Sequence, residues 1–299
     1  MSFTAADVPD QSGRTVMITG ANTGIGFEAA QVLAGKGAQV VLACRDAARG
    51  EAGRQRIAQL HPQASTLLLQ VDLADLDSVR AAAAQVERLD VLVNNAGIMR
   101  PPLWHTRQGF ESQFGVNHLG HFALAALLLP KLGGADPRVV VLASIAHKRG
   151  SIDFANLDGR QGYGRSRFYN QSKLANLLFV TELDRRLRAA GSPVKAIGCH
   201  PGVAGTDLGR NSPAERLFFE KLAPLFLNSA AQGAWPTLQA ATDPAAAGGD
   251  YYGSQGLFEM RGPSGPAHRS RLARDPELAR HLWQVSVELT GVDPGLPPA

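Results

Sequence analysis

The 299-residue chain has the composition of an ordinary globular protein, with 44% hydrophobic and 19% charged residues. A chain of this length can bury a sizeable core, either as one large domain or as two small ones. Its formal charge of +4 is mild, and the basic clusters at residues 185–188 and 269–274 contain no interleaved aromatic residues. These features argue against a nucleic-acid partner.

Cysteine usage and hydropathy indicate the cellular compartment of the protein. Cys44 and Cys199 stand in apolar runs, and we interpret them as buried thiols rather than as a disulfide or as zinc ligands. No apolar stretch approaches the ~18 residues that a membrane span requires. The polar residues 1–13 do not resemble a signal or transit peptide. We therefore expect a cytoplasmic protein without a membrane span.

Short apolar runs alternate with amphipathic stretches from residue 14 to about residue 203. The runs rich in Val, Ile and Leu predict buried strands at residues 16–18, 39–43, 66–71, 90–93, 138–143 and 194–199. The stretches between them predict helices at residues 27–35, 46–60, 75–86, 108–132 and 168–190. Alternation of this kind indicates an α/β protein with a doubly wound parallel sheet that is covered by helices on both faces.

A glycine-rich segment joins the first strand to the first helix. Gly20 suits a tight turn, Gly24 allows a phosphate to approach the backbone, and Gly26 allows close packing of helix on sheet. The first turn of the helix offers unpaired N–H groups to a pyrophosphate. An ordinary loop is the alternative, and the position between a strand and a helix disfavours it. The residues expected to hold a dinucleotide here are Gly20, Asn22, Thr23, Gly24, Ile25 and Gly26.

Four polar residues form a candidate catalytic group. Tyr169 and Lys173 are four residues apart in a predicted helix and therefore share one face. A neighbouring ammonium lowers the pKa of a phenol, which is roughly 10 when unperturbed, towards the working range of an acid–base catalyst. Ser144 ends the fifth strand, where its hydroxyl either stabilises charge on a carbonyl oxygen or simply caps a turn. The amide of Asn117 either holds a water beside Lys173 or is satisfied within the core.

These motifs follow one another in the order of the short-chain dehydrogenase/reductase family, which the chain resembles over about 190 residues. The resemblance rests on Thr19-Gly20-x-x-x-Gly24-Ile25-Gly26, Asn94-Asn95-Ala96-Gly97, Asn117, Ser144, Tyr169-x-x-x-Lys173 and Pro201-Gly202. It implies a Rossmann fold and a nicotinamide-dependent enzyme that interconverts a carbonyl and an alcohol.

The resemblance also implies roles for individual residues. Tyr169 would exchange the proton with the substrate oxygen while hydride passes to or from the nicotinamide, and Lys173 would also bind the nicotinamide ribose. Together with Asn117 and Ser144 they would form the family's catalytic tetrad. Thr206 would hold the nicotinamide carboxamide. The further cofactor contacts would be Asp72, Leu73, Asn95, Ala96, Gly97, Pro201 and Gly202.

The end of the second strand indicates the choice of dinucleotide. An NAD enzyme places a carboxylate there for the ribose hydroxyls, whereas a 2′-phosphate favours an arginine. Arg45 stands where a guanidinium can stack on adenine and contact the phosphate. Asp46 follows too late for the ribose and is better interpreted as a helix N-cap. We therefore expect NADP, with NAD as the alternative.

Ser144 and Tyr169 are 25 residues apart, farther than in many members of the family. The intervening insertion, residues 147–167, is rich in Gly and Arg and contains Tyr163. This spacing, the Ala-Cys-Arg-Asp run at residues 43–46 and the late Leu-Trp pair at residues 282–283 resemble the retinol-dehydrogenase-like and protochlorophyllide-reductase-like branch. Retinol dehydrogenases of that branch often begin with a membrane anchor, which the N-terminus here does not resemble.

We expect a single domain over residues 1–299, with a cofactor-binding and catalytic core at 14–203 and substrate-covering segments at 204–299. In the tail, residues 212–239 and 275–289 are predicted helical, and residues 244–253 a loop. Apolar side chains that can line a pocket for a lipophilic aldehyde, ketone or secondary alcohol are Phe218, Phe219, Phe226, Trp235 and Phe258. The resemblance allows a homo-oligomer that pairs through the two long helices.

Other functional classes lack their signatures. The chain contains neither the Gly-x-Ser-x-Gly of a serine hydrolase nor the Gly-Lys-Ser/Thr of a Walker nucleotidase. His118 and His121 are helix neighbours without an evident third ligand, so core packing is favoured over zinc and no metal is expected. The remaining rival is a catalytically silent NADP-binding sensor or scaffold. Such proteins tend to lose the tyrosine or the lysine, and this chain has both.

Overall fold

The computed structural model describes residues 2–203 and 228–298. Within these ranges eight strands form one sheet of order β3-β2-β1-β4-β5-β6-β7-β8. Strands β1 to β7 run parallel, and β8 pairs antiparallel with β7 at the edge. The strands are β1 (Thr15–Thr19), β2 (Gln39–Cys44), β3 (Ser65–Gln70), β4 (Val91–Asn94), β5 (Arg138–Leu142), β6 (Lys195–Cys199), β7 (Tyr251–Ser254) and β8 (Ser264–Pro266).

Helices connect the parallel strands. They are α1 (Gly24–Gly35), α2 (Ala47–Leu60), α3 (Leu76–Ala84), α4 (Gly120–Leu128), α5 (Arg165–Ala189), α6 (Ala230–Thr242) and α7 (Pro276–Thr290). The carboxylates of Asp46 and Asp75 accept hydrogen bonds from the first turns of α2 and α3, as predicted. α4 is entered through one α-helical turn, Ser112–Phe114, and a π-helical segment, Gly115–Leu119.

Apolar side chains of β1, β2, β4, β5 and β6 are buried on both faces of the sheet, as the sequence predicts for a doubly wound fold. The prediction that β3 is buried is wrong, because this edge strand leaves Leu67 51% exposed. One core, which contains Val40 and Leu42, is covered by α1, α2 and α6. The other, which contains Met17 and Val41, is covered by α3, α4, α5 and α7. The burial of alternate residues of β2 in opposite cores explains why this strand is apolar throughout.

α7 covers the outer face of the two helices through which an oligomer was expected to pair. Trp283 stacks on Phe179 of α5, with ring centroids 6.0 Å apart, and meets Phe122 of α4 edge-on at 5.2 Å. The guanidinium of Arg186 lies 4.7 Å from the Trp283 ring. Pairing through the long helices must therefore use other parts of their surfaces.

The tail departs from the sequence prediction. The predicted loop at residues 244–253 is wrong only at its end, because Tyr251–Ser254 is a strand that pairs with β6, whereas residues 244–250 lie in no helix or strand. The Tyr-Tyr-Gly-Ser sequence of this strand lacks the apolar run that marks the other strands. The predicted helix at residues 212–239 corresponds in its described part to α6, which continues to Thr242. No helix within residues 2–203 and 228–298 is long and apolar enough to cross a membrane.

Candidate active site

The strand order reverses between β1 and β4, and a cleft of about 450 Å³ opens there beyond the carboxyl ends of the strands. Its walls bring together twelve residues predicted to contact a cofactor: Gly20, Asn22, Thr23, Gly24, Ile25, Gly26, Arg45, Asp72, Leu73, Asn95, Ala96 and Gly97. The walls also include residues that were not singled out from the sequence as cofactor contacts: Thr19, Arg49, Ile98, Trp104 and Val116.

The glycine turn fits a pyrophosphate. Gly20 has a φ of +67°, which favours glycine. A Cβ at Gly26 would collide with Nδ2 of Asn95 and lie 2.5 Å from the carbonyl oxygen of Gly20, so only glycine allows α1 to pack this closely. Thr23, the N-cap of α1, makes no side-chain capping hydrogen bond. The N–H groups of the first turn are therefore available to phosphate oxygens.

A buried hydrogen-bond chain links this turn to Asn117. The Thr19 hydroxyl oxygen accepts bonds from the N–H groups of Asn95 and Ala96, both at 2.9 Å. Because both of its lone pairs are used, its own proton is donated to Nε2 of His121, 2.8 Å away. Nδ1 of His121 then carries the ring proton and donates it to the Asn117 carbonyl oxygen at 3.0 Å. Burial lowers the pKa of His121 to about 4, which favours this neutral form.

Asn117 lies in the π-helical segment, a distortion that often marks functional sites. Its side-chain oxygen accepts from the Ile98 N–H at 2.8 Å, and its Nδ2 donates to the Ile98 carbonyl at 3.0 Å and to Oγ of Ser172 at 3.0 Å. The satisfied-amide alternative is therefore the one that the structure supports. The amide fixes the backbone after β4, and both of its N–H donors are used by protein groups.

The structure confirms that Ser144 caps a turn, whereas its expected action on a carbonyl oxygen stays a prediction. Its hydroxyl oxygen caps the short 3₁₀ helix Ile145–Arg149 by accepting from the Ala146 N–H at 3.2 Å. The same side chain lies near enough to the Tyr169 hydroxyl to oppose the rise of the phenol pKa. Ser144 therefore stands two residues after β5, beside the phenol that was predicted to act with it.

Lys173 shares a helix face with Tyr169, as the spacing predicts. Its Nζ lies 5.9 Å from the centroid of the Tyr169 ring and donates to the Leu142 carbonyl at 3.1 Å. A Cβ at Gly97 would lie 3.6 Å from Nζ, so the amine adjoins the wall of the cleft. Burial lowers the pKa of Lys173 to about 8, which makes this proton exchangeable near neutral pH.

The expected lowering of the tyrosine pKa by the lysine is wrong for this structure. Burial raises the pKa of Tyr169, and the neighbouring Ser144 and the positive charge of Arg100 act against that rise. The physical reason is that desolvation of the phenol is the largest effect, while Nζ of Lys173 donates to the Leu142 carbonyl. The cation that acts on the phenol comes instead from the loop after β4.

Tyr163, in the insertion at residues 147–167, contacts the loop after β4 and holds it in place. The Tyr163 hydroxyl donates to the Pro101 carbonyl at 2.9 Å and accepts from Nε2 of Gln113 at 3.0 Å. The side-chain oxygen of Gln113 accepts from the Arg100 N–H at 2.8 Å. Arg100 has a φ of +54°, an uncommon conformation for a residue other than glycine. The insertion therefore holds the backbone that carries the cation acting on Tyr169.

The turn after β6 lies beside the cleft but is not among its described walls. Gly202 has a φ of +71°, and its N–H donates to Nδ1 of His200 at 3.1 Å. Pro201 precedes it, and its carbonyl accepts from Nδ2 of Asn228 at 2.9 Å. Thr206, the other residue predicted to contact the nicotinamide, lies outside the described residues.

The aromatic residue found in the cleft is Trp104. It was not predicted, although its position after β4 obeys the rule that ligands bind beyond the carboxyl ends of strands. The expectation that Trp235 lines the pocket is wrong, because α6 packs it against the core beside α1. Phe258 is 77% exposed. The other predicted lining residues, Phe218, Phe219 and Phe226, lie outside the described residues.

His118 and His121 belong to the core and have separate partners. Nε2 of His118 lies 2.8 Å from Oγ of Ser286, on α7, and its ring packs 5.1 Å from that of Phe114. Burial lowers the pKa of His118 to about 3. In the part of the chain that the structure describes, no group of three or more metal-binding side chains forms.

A doubly wound sheet with a phosphate-binding turn at its switch point defines a dinucleotide-binding protein of Rossmann type. A family model described as short chain dehydrogenase matches residues 14–217. The chain therefore belongs to the short-chain dehydrogenase/reductase family, and it is an NAD(P)-dependent oxidoreductase that interconverts carbonyl and alcohol groups.

Individual relatives agree with this assignment. The chain is 43% identical over 294 residues to retinol dehydrogenase 13 of Homo sapiens, covering 94% of this chain and 86% of that protein. It is 42% identical over 287 residues to retinol dehydrogenase 12 of Mus musculus, covering 94% and 87%. The solved structure of an uncharacterised protein from Mycobacterium paratuberculosis matches with a TM-score of 0.85 at 43% identity, covering 99% of this chain and 100% of that one. These findings give the sensor alternative no support.

Proposed function

We propose that the chain is an NADP-dependent reductase or dehydrogenase of a lipophilic aldehyde, ketone or secondary alcohol. The observation that carries the proposal is the convergence of three groups beside the cleft. The Tyr169 hydroxyl lies near Ser144, which acts on its pKa, and the amine of Lys173 lies on the same helix face and adjoins Gly97.

In the proposed mechanism, Tyr169 gives its proton to the substrate oxygen during reduction and takes it back during oxidation. Ser144 donates a hydrogen bond to the same oxygen and stabilises the charge that develops there. Lys173 holds the nicotinamide ribose and exchanges protons with the phenol. Asn117 acts by fixing the backbone at Ile98. NADP, when bound, supplies or receives the hydride.

The proposed cofactor contacts are those that the sequence predicts, and most of them share the cleft. They are Gly20, Asn22, Thr23, Gly24, Ile25, Gly26, Arg45, Asp72, Leu73, Asn95, Ala96, Gly97, Tyr169, Lys173, Pro201, Gly202 and Thr206. The preference for NADP over NAD is supported at the end of β2. Arg45, Asp46 and Arg49 all border the cleft, but the Asp46 carboxylate accepts the Arg49 N–H at 3.0 Å as an N-cap, which leaves the two guanidinium groups as candidate partners of a 2′-phosphate.

Replacing Arg45 with alanine is expected to weaken NADPH binding by about tenfold and NADH binding very little, because a charge-assisted hydrogen bond to the 2′-phosphate is lost. Isothermal titration of each dinucleotide measures the two affinities. Arg54→Ala is the matched control, since this arginine of α2 is paired with Glu51 at 2.7 Å and does not line the cleft. Equal loss of affinity for both dinucleotides would contradict the proposed phosphate contact.

The proposed lipophilic substrate class rests on two observations. The relatives quoted above are named for retinol, a lipophilic alcohol. Ile98, Trp104 and Val116 also contribute apolar surface to the cleft. We further propose a single domain over residues 1–299, since β7 and β8 extend the sheet of the core. A cytoplasmic setting is proposed on the basis of the composition and the two buried free thiols, Cys44 and Cys199.

A panel of aldehydes, ketones and alcohols, followed by nicotinamide absorbance with NADPH or NADP, tests the proposed function. We expect turnover of long-chain and ring-containing carbonyl compounds. Turnover confined to small charged sugars would refute the lipophilic substrate class. Tight NADPH binding without turnover of any compound in the panel would favour the sensor.

A further inference from the structure

Three loops leave the carboxyl ends of β5, β6 and β7 side by side, and their side chains meet at Glu259. Its Oε2 lies 2.7 Å from Nζ of Lys148 and 3.4 Å from Nε2 of His200. Its Oε1 accepts from the His268 N–H at 3.0 Å. The Glu259 side chain is only 13% exposed. We call these four groups the Glu259 cluster.

The backbone that carries this carboxylate is strained. Phe258 and Glu259 have φ values of +53° and +60°, a conformation that non-glycine residues adopt rarely. Consecutive residues of this kind persist only where their surroundings hold them, and they concentrate at functional sites. The partners of the Glu259 carboxylate provide that restraint.

The tautomer of His200 follows from its two contacts. Nδ1 accepts the Gly202 N–H at 3.1 Å, so it carries no proton. The single proton of the neutral ring is therefore on Nε2, which faces the Glu259 carboxylate. The carboxylate, the imidazole and the Gly202 N–H form an electrostatic relay, in which the 3.4 Å contact between Nε2 and Oε2 is close but is not a hydrogen bond.

The loop around Glu259 also encloses Gly202 directly. A Cβ at Gly202 would collide with the Met260 carbonyl oxygen and lie 2.7 Å from Oγ of Ser254. The same Met260 carbonyl accepts the Val203 N–H at 2.9 Å. The turn at residues 201–203 is therefore seated on the loop that carries the carboxylate.

The contact between Glu259 and Lys148 connects the cluster to the segment after β5 where Ser144 lies. Lys148 belongs to the 3₁₀ helix Ile145–Arg149, which Ser144 caps. Within that helix, Nδ1 of His147 contacts the Ser144 carbonyl oxygen at 2.6 Å. One carboxylate thus connects the turn after β6 with the helix that begins at Ser144.

We infer that Glu259 is a positioning residue that fixes the distance between the Pro201–Gly202 turn and Ser144. This inference rests on the proposed function, in which the turn contacts the nicotinamide end of the cofactor and Ser144 contacts the substrate oxygen. Glu259 then sets how the hydride-carrying ring faces the carbonyl.

The charge states of the Glu259 cluster do not change near neutral pH, so its contacts are present throughout that range. Burial by itself raises the pKa of Glu259, but the nearby His200 ring and the hydrogen bonds from Lys148 and the His268 N–H bring it well below its ordinary value. Burial lowers the pKa of His200. An ionised carboxylate facing a neutral imidazole is therefore retained across the neutral pH range.

The test separates the two ends of the cofactor. NADPH occupies the whole site, whereas 2′,5′-ADP occupies only the adenosine end. We expect Glu259→Ala to weaken NADPH binding and to lower kcat, each by about tenfold, because misplacement of reacting groups is costly. The affinity for 2′,5′-ADP remains unchanged. Glu259→Gln, which keeps an acceptor for His200, recovers part of both losses.

Two further variants keep the test decisive. Lys148→Met removes the ion pair between Glu259 and the 3₁₀ helix that Ser144 caps, and the side chain it replaces is partly exposed. We expect this variant to lower kcat without changing NADPH affinity. The Lys148→Met variant also tests the inference if Glu259→Ala does not fold. Glu277→Ala is the control, because this exposed carboxylate pairs only with Arg280 among the described residues, at 2.8 Å on α7. We expect it to alter none of the three quantities.

Equal weakening of NADPH and 2′,5′-ADP by Glu259→Ala, or no change in either, would overturn the inference. The binding comparison needs no turnover, so it remains valid even where the wild-type protein reduces no carbonyl compound and the proposed function fails. Nitrogen-15 NMR of His200 supplies an independent signature. We expect a neutral ring with its proton on Nε2, and a shift of that signal in Glu259→Ala; a proton on Nδ1 would overturn the relay.

Discussion

Tyr169→Phe is expected to lower kcat for carbonyl reduction by about 10³-fold, within the range of a lost general acid. The phenylalanine ring retains the half-buried position on α5 but has no proton to give to the substrate oxygen. NADPH affinity should change little, because the cleft walls at the glycine turn are untouched. Initial rates at saturating substrate and a fluorescence titration of NADPH measure the two quantities.

Tyr163→Phe is the matched control for this prediction. Its hydroxyl bonds Pro101 and Gln113 rather than Ser144, so its loss loosens the loop after β4 without removing a proton donor. We expect a fall in kcat of less than tenfold, since a single neutral hydrogen bond contributes only about 1 kcal/mol. Comparable losses in the two variants, or near wild-type turnover in Tyr169→Phe, would remove Tyr169 from its proposed role as acid.

Features carried by local patterns were predictable from the sequence. The runs that form β1, β2, β4, β5 and β6 are apolar because each is buried in a sheet covered on both faces, and that pattern requires no knowledge of distant residues. The turn from Gly20 to Gly26 was found for the same reason, since the glycines act within one strand-turn-helix unit. Asp46 and Asp75 are short-range N-caps, and they too were assigned correctly.

Features that depend on distant contacts were not predictable. Tyr251–Ser254 becomes a strand because β6 offers it an edge, and its own residues carry no apolar run. The π-helical segment at Asn117 was predicted as ordinary helix, and the contacts of the Asn117 amide with the distant Ile98 and Ser172 were not predictable either. The Glu259 cluster joins residues up to 120 positions apart in the chain, from Lys148 to His268.

The charge states of Tyr169 and Lys173 were not predictable either, because sequence spacing does not determine them. The four-residue interval correctly places Lys173 beside Tyr169, but their pKa values follow from burial. Burial lowers the pKa of the amine and raises that of the phenol. The cation that opposes the rise, Arg100, lies in a loop whose left-handed backbone is set by Gln113. No interval along the chain indicates that contact.

Lys173→Met is expected to lower kcat/KM for NADPH by about 10²-fold at neutral pH, because it removes the ammonium that we propose to hold the ribose and to exchange protons with the phenol. Methionine matches the length of the lysine stem and suits the buried site, so the fold should be retained. Steady-state rates with NADPH as the varied substrate measure the change.

The pH profile carries the more specific expectation. Because burial lowers the pKa of Lys173 to about 8, the side chain is an ammonium below that pH and a neutral amine above it. In the wild-type protein, kcat/KM for NADPH should therefore be level below pH 8 and fall above it, since this parameter reports groups of the free enzyme. In Lys173→Met the descending limb should be absent, and the residual rate should be low on both sides of pH 8.

Lys173→Arg distinguishes the effect of a permanent positive charge from the effect of a charge that is lost near pH 8. A guanidinium remains protonated throughout the accessible range, so this variant should also lose the limb near pH 8 while retaining more activity than the methionine variant. Should the limb persist in both variants, the group that titrates there is not Lys173. A buried amine whose proton is exchangeable at neutral pH would then have no part in proton transfer, and the tyrosine would have to be recharged from solvent by another path.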